Sequence, residues 1–223
     1  PAPLLLTHMA TGIRQHAATL HRAPSFDSDG LIRRVLKPLV FLLCLVPAAL
    51  LLLDVLGSRL GANPVEALLH RTGDWTLILL LVTLAVTPVR RISGWAWLIR
   101  LRRMLGLFAF FYAVLHFTVY LWLDRQLSMN EIVVDLVERP YITLGFVALL
   151  ILVLLAATSP KAMVRRLGRR WKVLHRAVYA AAILGVCHFW WLVKADVTEP
   201  AIYAVCLAAL LAARYSPGHR QAG

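Results

Sequence analysis

The stretch that most constrains this chain is RRWKVLHRAVYAAAILGVCHFWWLV, residues 169–193. It is apolar, long enough to cross a bilayer, and interrupted by two imidazoles, His175 and His188. At 1.5 Å rise per residue their positions lie roughly 20 Å apart along a helix. An ionisable side chain inside a membrane span is costly and marks a functional site until shown otherwise. A third such residue, His116, lies in the apolar run YAVLHFTVY two segments earlier.

The rest of the chain agrees with a membrane class. Of 223 residues, 60% are hydrophobic and only 16% charged, with a mean hydropathy of +0.72. A soluble domain of this size has no use for so much apolar surface. The net charge of +13 would suggest nucleic acid in a soluble protein. Here the basic residues flank apolar runs, so they read as topology signals and contacts to lipid headgroups. Cys44, Cys187 and Cys206 lie within apolar runs without paired spacing, which predicts buried structural thiols and neither disulfide nor zinc.

Six apolar segments predict an all-α membrane protein, a bundle of six transmembrane helices: 35–55, 75–89, 104–123, 141–157, 171–193 and 200–213. The second and last are short against a span of about 20 residues and must extend into their flanks. Backbone groups in hydrocarbon must be satisfied internally, which favours helices. The connecting loops alternate in charge: Arg90, Arg91, Arg100, Arg102 and Arg103 make one all-positive loop, and Lys161, Arg165, Arg166, Arg169, Arg170 and Lys172 another. The other three loops are net acidic. The positive-inside rule therefore predicts that the basic loops and both termini are cytoplasmic. Thr87-Pro88 and Ser159-Pro160 are expected to close the second and fourth spans. No internal repeat is evident.

Three divisions follow. Residues 1–32 read as a loosely ordered N-terminal tail carrying His8, His16 and His21; the run Leu4–Leu6 is too short for a signal-peptide core. Residues 33–215 form the membrane domain, and 216–223 a polar C-terminal tail with His219. With so little chain after the last span, no fused nicotinamide or flavin domain is expected.

Counting from the cytoplasmic ends of their spans places His116 about 18 Å deep and His188 about 25 Å deep, while His175 is one turn in. His116 and His188 then sit at related depths on neighbouring helices. Two facing neutral imidazoles are suitable axial ligands for low-spin haem iron, with Tyr112, Tyr120 and Phe189 as aromatic companions. His175 and His188 cannot share one stripe of an ideal helix, since thirteen residues leave them some 140° apart. Either that helix is distorted or the two serve different sites. His70, in LLHRTGDW, is read either as an interfacial histidine or as part of an outer-face site near His116 and His188.

The chain resembles the MsrQ family, the haem-binding membrane subunits of the bacterial periplasmic methionine-sulfoxide reductase system, within the broader ferric-reductase-like transmembrane group. The resemblance rests on GANPVEALLHRTGDW (61–75), TPVRR (87–91), IRLRRMLGLFAFFYAVLHFTVY (99–120), RPYITLG (139–145), TSPKAMVRRLGRRWKVLHRAVY (158–179) and HFWWLVK from His188. It implies haem b, FMN, an inner-membrane location, and electron transfer from the quinone pool to a periplasmic molybdopterin-containing catalytic subunit that repairs oxidised methionine. A separate soluble flavin reductase is the other donor considered. The chain would then be an electron-transfer subunit without catalysis of its own. By matching position, His116, His175 and His188 are the implied haem ligands. Span three carries Arg103 where the wider group has a second histidine, so a second, cytoplasmic haem at His175 lacks an evident partner. Arg102, Arg103, Arg169 and Arg170 read either as topology charges or as partners of haem propionates or flavin phosphate at that second site near His175. Rival functions are a stand-alone transmembrane ferric or quinone reductase, a small transporter or proton channel with relay histidines, and a bare membrane anchor.

Overall fold

The computed structural model describes residue 30, residues 32–193 and residues 196–215. His8, His16, His21 and His219, and nearly all of both expected tails, lie outside these. By contacts, residues 1–40 form one unit and residues 41–223 another. The first holds a wide π-helical turn, Ile32–Leu36, and the start of helix α1, Lys37–Leu56, most of which belongs to the second.

Helix α2, Pro64–Ser93, is the longest. At 1.5 Å per residue it spans roughly 45 Å, beyond the ~30 Å hydrocarbon core. Its start is specified locally. Pro64 occupies the first turn, and Asn63 Oδ1 accepts from the Glu66 amide at 3.4 Å while its own Nδ2 donates to Glu66 Oε2 at 2.8 Å. Pro88 does not close this helix, contrary to the sequence reading. It removes one bond, that to the carbonyl four residues back, and the helix continues within a packed bundle. The stop is Gly94, at φ 73°, whose N–H caps the Arg90 carbonyl.

Helix α3, Arg102–Val119, returns across the bundle and ends in a π-helical turn, Tyr120–Asp124. A short amphipathic helix, α4 (Met129–Glu138), then leads into α5, Pro140–Ala157. Here the expected stop holds: α5 ends ahead of Ser159-Pro160. Helices α6 (Lys161–Leu167) and α7 (Arg169–Leu174) are separated by Gly168 at φ 50°. Helix α8, Ala177–Leu192, follows a break at His175–Arg176, so the fifth span is indeed not one ideal helix. Helix α9, Thr198–Tyr215, is the last described.

Five segments are long and apolar enough to cross a membrane: Arg34–Leu56, Pro64–Ser93, Arg102–Asp124, Pro140–Ala157 and Arg169–Leu192. Helix α9 has the length of a span but packs against α2 and α8 and is more polar, with Glu199 and Arg214 in its end turns. The outward residues of α1, among them Leu42, Leu43, Leu50 and Leu53, are more than half exposed. A helix that shows leucine outward is solvated by hydrocarbon.

Two hairpins dominate the packing, α2 against α3 and α5 against α8. Small residues let the helices approach: Ala109 on α3 and Ala181 and Ala182 on α8 are fully buried. Tyr112, buried on α3, reaches the Pro47 turn of α1. There its hydroxyl accepts from the Ala48 amide at 3.0 Å and donates to the Cys44 carbonyl at 2.8 Å, standing inside the helical ladder where a direct bond would otherwise close. Of the cysteines only Cys44 is buried; Cys187 and Cys206 face outward, and all three are free.

Candidate functional site

Between the two hairpins lies a cavity of about 530 Å³, within the range of small-molecule and cofactor sites. It reaches the end of the bundle that carries the acidic loops, where Asn63, Asp124, Arg125 and Arg139 line it. Its walls are apolar and aromatic, including Leu77, Leu80, Phe117, Phe146, Leu152 and Phe189. Both His116, from α3, and His188, from α8, line it.

The two rings face each other with centroids 6.2 Å apart and planes at 83°. Each is held through Nδ1. His116 Nδ1 donates to the Leu69 carbonyl at 3.0 Å, with the Thr72 hydroxyl at 3.3 Å, and His188 Nδ1 donates to the Tyr141 carbonyl at 2.6 Å. A carbonyl only accepts, so Nδ1 carries the proton and Nε2 keeps its lone pair. Metal-ligating histidines commonly donate their other ring N–H to a carbonyl in this way. A metal with imidazole nitrogens on both sides at about 2.0 Å, each nitrogen about 1.1 Å from its ring centroid, needs centroids about 6.2 Å apart. The observed spacing meets that requirement. Among the described residues no three His, Cys, Asp or Glu side chains converge on a metal position. Two imidazoles in an apolar slot fit a group that would bring its own remaining metal donors, as a planar macrocycle does.

The other expected site residues distribute unevenly. His70 lines the cavity near its rim, 6.5 Å ring to ring from Phe189 and 4.0 Å from Glu66. Tyr120 and Phe189 also line it, whereas Tyr112 serves the α1 contact instead. His175 is absent from the cavity. It stacks on Trp171 at 3.9 Å between ring centroids, with both ring nitrogens buried. Arg102, Arg103, Arg169 and Arg170 do not line the cavity either. They sit at the opposite, basic end, where Arg102 bonds Tyr179 and lies within electrostatic reach of His175. The span-end position of these arginines puts them beyond the reach of the His116–His188 pair.

The cations that do line the cavity are Arg125 and Arg139, which the sequence reading passed over. Both converge on Asp135 of α4, whose side chain is 5% exposed: Arg125 Nε lies 2.6 Å and Arg139 Nε 3.2 Å from its carboxylate, and the Tyr120 hydroxyl donates to it at 2.9 Å. Burial alone would lower the Arg125 guanidinium, but Asp124 and Asp135 hold it above its ordinary value, so it stays charged. Leu69, Thr72, Gly73, Tyr141 and Gly145 were also passed over as individual site residues. Backbone acceptors have no residue type to betray them.

A helical membrane bundle that presents one histidine from each of two hairpins to a shared apolar slot defines a class, transmembrane proteins of the ferric-reductase type. Residues 72–186 match the family described as ferric reductase like transmembrane component. The chain is 52% identical over 183 residues to the protein-methionine-sulfoxide reductase heme-binding subunit MsrQ of Herminiimonas arsenicoxydans, covering 81% of this chain and 84% of that one. It is 53% identical over 186 residues to the MsrQ of Ralstonia nicotianae, with 81% and 85% covered, and 57% identical over 155 residues to that of Xanthomonas campestris pv. campestris, with 70% and 71% covered. The chain belongs to the MsrQ family.

Proposed function

We propose that the chain is the haem b electron-transfer subunit of a methionine-sulfoxide reductase. In this reading it is held in the bacterial inner membrane by six spans, α9 being the sixth, with both termini cytoplasmic. It carries electrons from the quinone pool to a periplasmic, molybdopterin-containing catalytic subunit that reduces methionine sulfoxide. The observation that carries the proposal is the facing pair His116 and His188, 6.2 Å apart with both Nδ1 atoms tied to backbone carbonyls. The names of the MsrQ relatives, which call them heme-binding subunits, point the same way.

Haem, when bound, supplies a one-electron carrier; the chain's own groups do the rest. His116 and His188 would hold the iron, and donation from Nδ1 to Leu69 and Tyr141 would make both ligands more basic. The leucine and phenylalanine walls keep water from the site. Arg125 and Arg139 at the rim are the cations available to the porphyrin carboxylates. His70 is the cavity histidine nearest the rim's acidic residues and the approach of a docking partner. At the basic end, His175, with Arg102 in reach and Arg103, Arg169 and Arg170 on neighbouring turns, belongs to a second cytoplasmic site for FMN or a further haem.

The test is an oxidised and dithionite-reduced absorption spectrum of the detergent-purified chain, with haem quantified per protein. The expected result is a low-spin b-type spectrum that His116→Ala and His188→Ala each abolish. Full haem content in either variant, or a colourless wild-type protein from haem-replete cells, overturns the reading.

A further inference from the structure

His116 and His188 are held by the same device. Each donates to a backbone carbonyl 47 residues earlier, that of Leu69 or of Tyr141. Four residues after each carbonyl stands a glycine, Gly73 on α2 and Gly145 on α5, and the imidazole lies against it. A Cβ on Gly73 would meet Cε1 and Nδ1 of His116 at 3.4 Å; one on Gly145 would meet Nδ1, Cε1 and Cγ of His188 at 2.9, 3.0 and 3.1 Å. The geometry explains why glycine is there. In a helix the carbonyl of residue i−4 receives the N–H of residue i, so the imidazole reaches that acceptor across the face of residue i. Any side chain at that position stands in its path.

The correspondence extends along both hairpins. Tyr141 follows Leu69, Gly145 follows Gly73, Ser159-Pro160 follows Thr87-Pro88, and His188-Phe189 follows His116-Phe117, every one by the same 72 residues. The sequence does contain an internal repeat, then, of one helix hairpin from α2–α3 to α5–α8. It escapes notice because the intervening apolar residues interchange freely in lipid. Each hairpin fixes its own histidine from within, by its first helix, before the two meet across the cavity.

We infer that Gly73 and Gly145 are positioning residues, paired seats that set the two imidazoles for axial ligation, with Gly145 the tighter. The inference rests on the proposed sharing of one haem by His116 and His188. It requires unequal effects. At 2.9–3.1 Å the His188 ring must move if residue 145 gains a Cβ, and that movement distorts its bond to Tyr141. At 3.4 Å the His116 ring yields by a few tenths of an ångström.

The experiment compares Gly145→Ala, Gly73→Ala and Gly106→Ala in the full chain purified with haem. Gly106 is a control, its nearest contact being a Thr83 methyl at 3.6 Å. Loss of an outer-shell partner of a metal ligand costs roughly 10- to 100-fold in affinity. Gly145→Ala is expected to lose haem by at least roughly tenfold, with the remainder high-spin and, when reduced, open to carbon monoxide. Gly73→Ala should shift less, and Gly106→Ala should match wild type. A low-spin, carbon-monoxide-inert Gly145→Ala protein with wild-type haem affinity overturns the inference.

A colourless wild type would sink the haem reading instead, and the seat is then tested by thermal unfolding alone. Gly145→Ala should destabilise the wild-type background but not His188→Gly, where the ring is gone. An equal cost in both backgrounds overturns the seat independently of any cofactor, and covers the case in which Gly145→Ala folds too poorly to load.

Discussion

Replacing Asp135 with asparagine tests the ion network at the mouth of the cavity. The substitution keeps shape and volume, so no void confuses the result, and it removes the single carboxylate on which Arg125, Arg139 and the Tyr120 hydroxyl converge. Removing one partner from a buried ion pair costs 3–5 kcal/mol by leaving the other charge uncompensated; here Arg125 keeps Asp124 at 3.4 Å and the 47% exposure of Arg139 screens its share, so the expected loss is at the low end, about 3 kcal/mol. For a chain of this length 1 kcal/mol corresponds to roughly 2–4 °C, so the midpoint should fall by about 6–12 °C. Thermal unfolding in detergent, followed by circular dichroism, measures it. Adding Arg139→Ala to the Asp135→Asn protein should cost less than Arg139→Ala costs in wild type, since the pair is already broken. A shift below about 2 °C for Asp135→Asn, or strictly additive single and double variants, would refute the claim that Asp135 organises the rim.

Tyr112→Phe removes the hydroxyl that stands between Ala48 and Cys44 in α1. The expected cost is about 1–3 kcal/mol in thermal unfolding; because Tyr112 does not line the cavity, the cofactor spectrum should not change. Asp196 accepts from the Thr198 amide at 2.9 Å at the start of α9, and bonds from the Thr198 side chain and backbone hold its carboxyl below 3.8. A depressed carboxylate contributes its stability above the ordinary value and loses it as pH falls through the lower, folded one. Hydrogen exchange at the first turn of α9 should therefore gain protection above pH 3.8 relative to Asp196→Ala and converge with it in stronger acid.

How much of this was legible beforehand differs between the bundle and its site. Apolar run length predicted most of the spanning helices within a few residues of those observed, α2 excepted, which starts at Pro64 well ahead of its apolar run, because in hydrocarbon the backbone has almost no alternative to the helix. Histidine in an apolar run was legible for the same reason, since the cost of placing it there singles it out. Other features needed the fold. Pro88 looked like a terminus and is a helix interior, because neighbouring helices tolerate the bond it removes. Arg125 and Arg139 looked like ordinary loop charges, and only the fold brings them to the cavity lining.

What the sequence by itself determined, then, is a helical membrane protein with three costly imidazoles and a charge bias across its loops. Local chemistry decides each of these, residue by residue. Only the tertiary structure decided which imidazoles meet, that each is tied to a carbonyl and seated on a glycine, and that Asp135 gathers two arginines at the cavity mouth. Those contacts join residues many positions apart, and their acceptors are often backbone atoms common to every residue. Spacing alone could have shown the 72-residue repeat, but until His116 and His188 were seen in equivalent seats it was one offset among many.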